Sequence, residues 1–361
     1  MYLAHSWRLL VLFSRNRKKV GIPQALIYYK FSELWKTFFS ELGAEVIISS
    51  KTTKKILEAA VSLAPDEDCY STKLYFGHVM SIKDKVDYLF IPRFGSAHKT
   101  NSGCPKFIGL ADVLRSMFPE LPEIIMPYFS KAKAKHGKRR FIRIAFEVGL
   151  KFTRNPIKIV KATLRSVKAY KEHLQKLVIN EETLHKWEQS EIYLNDSPII
   201  TSLEKPLKVA LVGHSYVIND PFASFNIRNK LQKYGIDIIT SEQMPRKLIE
   251  EQMGKLEYNL YFDYTREILG TIMHFLESKT IDGIIQLIVF SCGPDSITGE
   301  MAAIFSKQNP QVPLLQLVFD ELTAEAGIKT RIEAFIDMII RRRQKQKIVM
   351  TVSHTQKKEV R

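Results

Sequence analysis

Apolar runs rich in β-branched residues alternate along this chain with amphipathic stretches, and this alternation constrains its fold most strongly. The apolar runs lie at 20–29, 44–49, 86–92, 207–213, 236–240, 283–290 and 314–319. Apolar residues at helical spacing separate them, for example at 32–42 and 54–63. Parallel strands that helices cover on both faces give this pattern. The sequence therefore predicts an α/β protein with parallel sheets.

The strands fall into two groups, and the stretch between the groups has a different character. Residues 131–198 show long helical spacings, such as Ile157, Val160 and Leu164, and contain few glycines. A chain of 361 residues is long enough for two domains with separate cores. We predict two Rossmann/flavodoxin-like parallel-sheet domains joined by a helical connector. Their bounds are 19–130 for the first domain, 131–198 for the connector, 205–343 for the second domain and 344–361 for a charged tail that frays.

The positive charge of the chain is concentrated outside the predicted domains. The formal net charge is +16, and residues 131–176 hold 15 Lys and Arg against two Glu. Residues 341–361 hold eight Lys and Arg against one Glu, and residues 1–19 hold five, so the remainder is net acidic. The basic residues recur along amphipathic helices, where they usually form a solvated face, and no nucleic-acid-binding fold is recognisable. We therefore predict no nucleic-acid partner.

Three cysteines, Cys69, Cys104 and Cys292, are the chain's full complement. An odd number argues against a disulfide framework, and the apolar stretch 9–13 is too short for a signal peptide. No stretch approaches the about 20 apolar residues that cross a bilayer. These features predict a cytoplasmic protein with reduced thiols and no membrane contact.

The cysteines fall at informative places in the predicted layout. Cys69 lies in a polar loop before a helix, Cys104 in a loop after the strand that ends at Pro92, and Cys292 at the end of an apolar strand. Ligands of open α/β sheets bind at the carboxyl ends of the strands, so the three thiols can converge between the domains. Glycine or proline near each cysteine leaves room for a bulky cofactor.

Spacing alone leaves several interpretations open. There is no Cys-x-x-Cys pair, and scattered free cysteines are most often small buried hydrophobic residues. A zinc site that combines the cysteines with His78 or His98 is a second interpretation, and a non-catalytic interaction protein is a third.

Several motifs closely resemble the 2-hydroxyacyl-CoA dehydratase superfamily, most nearly its branch of activase-associated proteins. The similarity extends from Lys19 to about Ile340. The cysteine blocks are its specific part. The main matching segments are Gly21-Ile22-Pro23, Asp66-Glu67-Asp68-Cys69, Gly77-His78-Val79, Cys104-Pro105-Lys106, Gly213-His214-Ser215-Tyr216, Asp220-Pro221, Cys292-Gly293-Pro294-Asp295 and Asp320-Glu321-Leu322.

The resemblance implies a cofactor and partners. It implies that Cys69, Cys104 and Cys292 hold a 4Fe-4S cluster, with one iron left open to a substrate oxygen. An ATP-hydrolysing activase with its own iron–sulfur cluster would supply a low-potential electron for radical dehydration of an acyl-CoA. The chain would then be a lyase or its electron-transfer subunit, paired with a paralogous subunit or with itself. A related branch, with a double-cubane 8Fe-9S cluster that reduces small molecules, is the alternative.

The chain also departs from the family and leaves side-chain roles open. Ser71 stands where the family often has proline. The absence of a Gly-x-x-x-x-Gly-Lys-Ser/Thr loop agrees with ATP hydrolysis by a partner. His78, His214 and Glu321 are candidate acid–base residues. Structural roles explain them equally well, and Lys73 is expected to be a solvated helix lysine.

Overall fold

The fold is described here from a computed structural model. It describes residues 17–96, 98, 101–131, 137–195 and 205–359, without side chains at 137–138 and 347–359. The first 16 residues, for which we predicted no signal peptide, lie outside the described residues. So do parts of the predicted connector and tail. Within these ranges, none of the helices combines the length and the hydropathy that a membrane crossing requires.

The first sheet lies in the amino-terminal part of the chain. Its four strands are β1 (Lys19–Ile22), β2 (Glu45–Ile48), β3 (Tyr88–Phe90) and β5 (Glu123–Ile125). Two further short strands, β4 (Arg93–Ser96) and β6 (Tyr128–Ser130), form a separate parallel pair. The helices between them are α1 (Tyr28–Leu42), α2 (Lys54–Leu63), α3 (Tyr70–Ile82) and α4 (Pro105–Met117). The sheet has the order β2-β1-β3-β5 and is parallel throughout, while β4 pairs with β6.

The second sheet follows three helices, α5 (Gly137–Gly149), α6 (Pro156–Leu177) and α7 (Glu181–Glu188). Its strands are β7 (Leu207–Val212), β8 (Ile236–Thr240), β9 (Gly283–Val289) and β10 (Leu314–Phe319). The accompanying helices are α8 (Ser215–Ile218), α9 (Ile227–Lys233), α10 (Arg246–Met253), α11 (Asp263–Ser278), α12 (Gly293–Gln308) and α13 (Glu325–Glu359). This sheet is also fully parallel, with the order β8-β7-β9-β10.

The two sheets share one topology. In each, the second strand lies beside the first, and the third and fourth follow on the other side. This is the doubly wound order of flavodoxin-like folds, in which a crevice opens where the direction of winding reverses. That point lies between β1 and β3 in the first sheet and between β7 and β9 in the second. The predicted α/β class with Rossmann/flavodoxin-like parallel sheets is confirmed.

Buried apolar residues link the two halves. One continuous cluster contains residues of the first sheet, such as Val20 and Leu89, together with Leu211 and Ile285 of the second. The helices of the predicted connector divide between the halves. In α6, Tyr170 stacks on Phe31 of α1 with ring centroids 5.5 Å apart. In contrast, α7 packs on the second half, where Trp187 meets Phe275 at 6.0 Å. The predicted domain boundaries stay a prediction.

Two predicted elements differ from the structure. The run 20–29 was expected to be one strand, but β1 ends at Ile22 and α1 begins at Tyr28. Pro23 lacks a backbone donor for a strand ladder, and Leu26 turns the chain with a left-handed φ of 52°. The tail was expected to fray after Arg343, but α13 continues to Glu359. Residues 328–359 contain neither glycine nor proline, so nothing in the sequence breaks the helix.

Candidate metal centre

Each cysteine occupies the residue directly before a helix. Cys69 precedes α3, Cys104 precedes α4 and Cys292 precedes α12, all with extended backbones. The first turn of a helix has backbone N–H groups without partners in the helix, and its dipole favours a negative charge. Thiolates are stabilised at such positions. The three helix ends therefore favour anionic sulfur, an effect that burial opposes at Cys104 and Cys292.

Contacts between the cysteine loops bring the three helix ends together. The backbone N–H of Tyr70 donates to the carbonyl oxygen of Phe290 at 3.4 Å. The hydroxyl of Ser291 donates to the carbonyl oxygen of Glu67 at 3.3 Å. Asp68, which precedes Cys69, forms an ion pair with Lys106, two residues after Cys104. The loop of Cys69 thus contacts both other loops.

The sulfurs share one electrostatic environment. Burial raises the pKa of Cys292, and the carboxylate of Asp295 and, more weakly, the sulfurs of Cys69 and Cys104 raise it further. Burial also raises the pKa of Cys104, partly offset by the backbone N–H groups of Lys106 and Phe107. Negative charge on one cysteine therefore opposes negative charge on the next. A bound cation is what would let all three ionise together.

The backbone before Cys292 adopts an uncommon conformation. Ser291 has a φ of 53°, in the left-handed region that residues with a Cβ rarely adopt. It lies two residues after the end of β9, at the point where the second sheet reverses its winding. Such conformations cost about 1–3 kcal/mol and persist where the surroundings hold them. Here the turn delivers Cys292 to the start of α12.

His214 and Asp295 lie against Cys292. His214 follows β7, which neighbours β9, and is 3% exposed. Its Nε2 lies 2.9 Å from Asp295 Oδ1 and 3.9 Å from Cys292 Sγ. Asp295 Oδ2 accepts a hydrogen bond from the Val289 N–H at 2.9 Å. His214 Nδ1 is buried and has no hydrogen-bond partner among the described residues.

Two possible ligand sets overlap at Cys292. Among the described residues, His214, Cys292 and Asp295 form a group whose ligand atoms all lie within 4.8 Å of one another. The three cysteine sulfurs are not such a compact group among the described side chains. The three cysteine sulfurs are therefore spread over a larger distance than the ligand atoms of His214, Cys292 and Asp295.

Aromatic rings form a wall beside the cysteines. The His214 ring stacks on Tyr216 with centroids 4.7 Å apart, and the edge of Tyr264 lies 5.0 Å away. Phe107, three residues after Cys104, meets both tyrosine rings at 6.2 and 6.3 Å. On another side of Tyr264, the ammonium of Lys30 lies 4.8 Å from the ring centroid. Stacking on Tyr216 fixes the plane of the His214 ring.

Glu321 lies near the first cysteine through a salt bridge. Its Oε1 lies 2.5 Å from Nζ of Lys73, which is one helical turn after Cys69. Lys73 is 5% exposed, so the expectation of a solvated lysine is wrong. Long side chains are buried in this way when a partner compensates the charge. The neighbouring Asp320 turns the chain by accepting from the Leu322 N–H at 3.0 Å.

His78 lies in a separate network of hydroxyl groups. Its Nδ1 bonds Ser49 Oγ and its Nε2 bonds Thr52 Oγ1, both at 2.9 Å. Thr52 in turn donates to Asp220 of the second half. Burial lowers the pKa of His78 to about 4, so the ring is neutral at pH 7. A catalytic role for His78 stays a prediction.

His98, the other histidine of the zinc interpretation, has a different environment. Burial, with the positive charge of Arg246, lowers its pKa. The other charged groups that act on it are Asp263, Lys131 and Lys30.

His214 and the three cysteines were predicted as site residues, but the contact of His214 with Cys292 was not predicted. The contact of His214 with Cys292 and Asp295 follows from the pairing of β7 with β9, whose carboxyl ends adjoin. A predicted strand order with β7 beside β9 would have placed the His214 motif next to the Cys292 motif. Nothing in the sequence pattern pointed to Tyr264 or Phe107 as walls of the site.

Comparisons with known proteins identify a family. Residues 19–244 match the family described as the CoA enzyme activase uncharacterised domain (DUF2229). This match covers more than half of the chain, and the chain belongs to that family. No curated protein matches it.

One solved structure is similar only in a loose sense. It is described as a candidate sugar-binding protein from Salmonella typhimurium LT2, with 10% identity over 88% of this chain and 86% of that one. Its TM-score of 0.21 is too low to support any statement about fold or function.

Proposed function

We propose that this chain is an iron–sulfur redox protein that receives a low-potential electron from an ATP-dependent CoA enzyme activase. The observation that carries the proposal is that three cysteines each precede a helix, and that residues beside Cys69 contact residues beside the other two. Cys69, Cys104 and Cys292 would be the ligands of the cluster.

The residues present fit such a group. Three thiols at helix amino termini match the preference of iron–sulfur clusters for cysteine sulfur and for hydrogen bonds to that sulfur. A single zinc ion with bonds of about 2.3 Å would hold its sulfurs roughly 4 Å apart. The compact group within 4.8 Å contains only one cysteine among the described residues, so the three sulfurs suit a larger cofactor better.

The bound cluster would supply one-electron chemistry and, with only three protein sulfurs, an iron open to a substrate oxygen. The chain's own residues would do the rest. The helix ends would favour ionised sulfur, while the rings of Tyr216, Tyr264 and Phe107 would line one side of the site. Glu321, paired with Lys73 one helical turn after Cys69, would be the candidate carboxylate for accepting a proton.

The partner and the substrate follow from the family and from the resemblance. The family's description ties this domain to CoA enzyme activases. The sequence contains no Gly-x-x-x-x-Gly-Lys-Ser/Thr motif, which agrees with ATP hydrolysis on the activase. Within this proposal the reaction served is reductive dehydration of an acyl-CoA, as in 2-hydroxyacyl-CoA dehydratases. The basic helices α5 and α6 supply positive charge suited to an acidic partner surface or to CoA phosphates.

The test mixes the anaerobically purified protein with a reduced CoA enzyme activase and follows its electron paramagnetic resonance (EPR) spectrum. We expect a new signal that requires ATP hydrolysis and that Cys104→Ser abolishes. A non-hydrolysable ATP analogue is the control for mere binding. A protein that contains iron yet is never reduced by the activase would contradict the proposed partner.

A further inference from the structure

The ring of His214 lies between two groups that carry or develop negative charge. Its Nε2 is 2.9 Å from Asp295 Oδ1 and 3.9 Å from the sulfur of Cys292, within reach of an N–H···S hydrogen bond. His214 and Asp295 are both at least nine-tenths buried. Water screens charges only weakly at such buried positions. A proton on Nε2 therefore interacts strongly with both the Asp295 carboxylate and the Cys292 sulfur.

The surroundings fix which nitrogen carries the proton. Asp295 is held by the backbone N–H of Val289, and its other oxygen faces Nε2. A carboxylate at this distance favours the tautomer with hydrogen on Nε2, the same nitrogen that lies near the sulfur of Cys292. Stacking on Tyr216 at an interplanar angle of 10° prevents the ring from rotating away. Nδ1, which has no partner among the described residues, keeps its lone pair.

We propose that His214 donates its Nε2–H to the sulfur of Cys292, that Asp295 positions the ring for this bond, and that the pair raises the midpoint potential of the metal centre. The inference rests on the proposed function, since it presumes a cluster on Cys292. A hydrogen bond to a ligating sulfur stabilises the more negative, reduced state. His214 is thus a positioning and tuning residue of the centre, and acid–base chemistry is not needed to explain its place.

The chain offers a matched control. His274 forms a comparable pair with a carboxylate away from the cysteines, with Nε2 2.9 Å from Glu188 Oε1 and its ring edge-to-face with Phe275 at 5.0 Å between centroids. His274→Phe removes a half-buried histidine–carboxylate pair with the same N–O distance of 2.9 Å. Any effect of general destabilisation would appear in this variant as well.

The experiment compares wild type, His214→Phe and His274→Phe by redox titration followed by EPR. Phenylalanine preserves the stacking on Tyr216 but has no N–H. We expect the midpoint potential of His214→Phe to fall by at least 59 mV, a tenfold change in the ratio of reduced to oxidised centre. Electron–nuclear double resonance should also lose a proton coupling that exchanges in D2O. His274→Phe should keep both properties.

Each further outcome decides between the claims. An unchanged potential and proton coupling in His214→Phe would overturn the inference and leave the cluster in place. If His214→Phe binds no iron, His214→Gln decides, because its amide N–H can replace the donor: restored iron binding supports the inference. Loss of iron in both variants, with His274→Phe loaded, would make His214 a ligand and overturn it. A wild type without iron would instead refute the proposed function.

Discussion

At the residue scale, burial changes the chemistry that a side chain's type suggests. His78 is fully buried and bonded to two hydroxyls, and its pKa is lowered to about 4. Histidine ordinarily titrates near pH 6.5. The unfolded chain therefore binds a proton at pH 5 that the folded chain refuses, so stability is fully present above about pH 6.5 and falls as the pH drops towards 4.

His78→Gln tests this linkage. Glutamine can still hydrogen-bond the hydroxyls of Ser49 and Thr52 but does not titrate. Between pH 7.5 and pH 5, urea unfolding should show wild type losing about 2 kcal/mol more than the variant. Asp220, which Thr52 contacts, titrates in both proteins and cancels from the comparison. Parallel pH profiles would disprove a neutral, buried His78.

Some site residues could be predicted from the sequence, whereas the environment of Lys73 could not. The cysteines and His214 could be singled out because they lie in segments that resemble the 2-hydroxyacyl-CoA dehydratase superfamily. Lys73 was misjudged because its partner Glu321 lies 248 positions away, and a salt bridge between distant segments leaves no periodic signal. Long-range pairing of charges is decided by the fold as a whole.

At the element scale, one glycine sets how closely two helices pack. A Cβ on Gly77 in α3 would lie 2.2 Å from the carbonyl oxygen of Ile56 in α2, far inside van der Waals contact. A backbone atom cannot rotate away as a side chain can. The two helices would therefore have to separate.

Gly77→Ala should lower the free energy of unfolding by about 1–3 kcal/mol through overpacking. Gly109→Ala in α4 is the matched control, because a Cβ there meets nothing within 4 Å. It should raise stability by about 0.5–1 kcal/mol, since alanine favours helix more than glycine does. Urea unfolding at pH 7.5 measures both. Equal effects would show that α2 and α3 are not packed this tightly.

Element types were predicted better than their ends. Apolar runs gave the strands β2, β3 and β7–β10, because buried parallel strands need such runs on both faces. The start of α1 and the length of α13 were missed, since a left-handed residue at Leu26 and the propensity of a charged helix outweighed the pattern. The short strands β4 and β6 have three or four residues each, too few for a periodic signal.

At the scale of the whole molecule, the proposed centre would draw its ligands from both halves. Cys69 and Cys104 come from the half with the first sheet and Cys292 from the half with the second. Their loops touch, and a continuous apolar core joins the sheets behind them. The sequence indicated two α/β groups, but not that the sheets share one strand order or that the connector's helices divide between them. Those features follow from packing across hundreds of residues.

The most direct test of the central claim is iron and sulfide analysis of the anaerobically purified protein. We predict about four irons and about four sulfides per chain. Both should be lost in each of Cys69→Ser, Cys104→Ser and Cys292→Ser but kept in His274→Phe. About eight irons per chain would assign the same cysteines to a double-cubane cluster. Zinc in place of iron, no metal at all, or iron that survives all three serine substitutions would contradict a three-cysteine iron–sulfur centre.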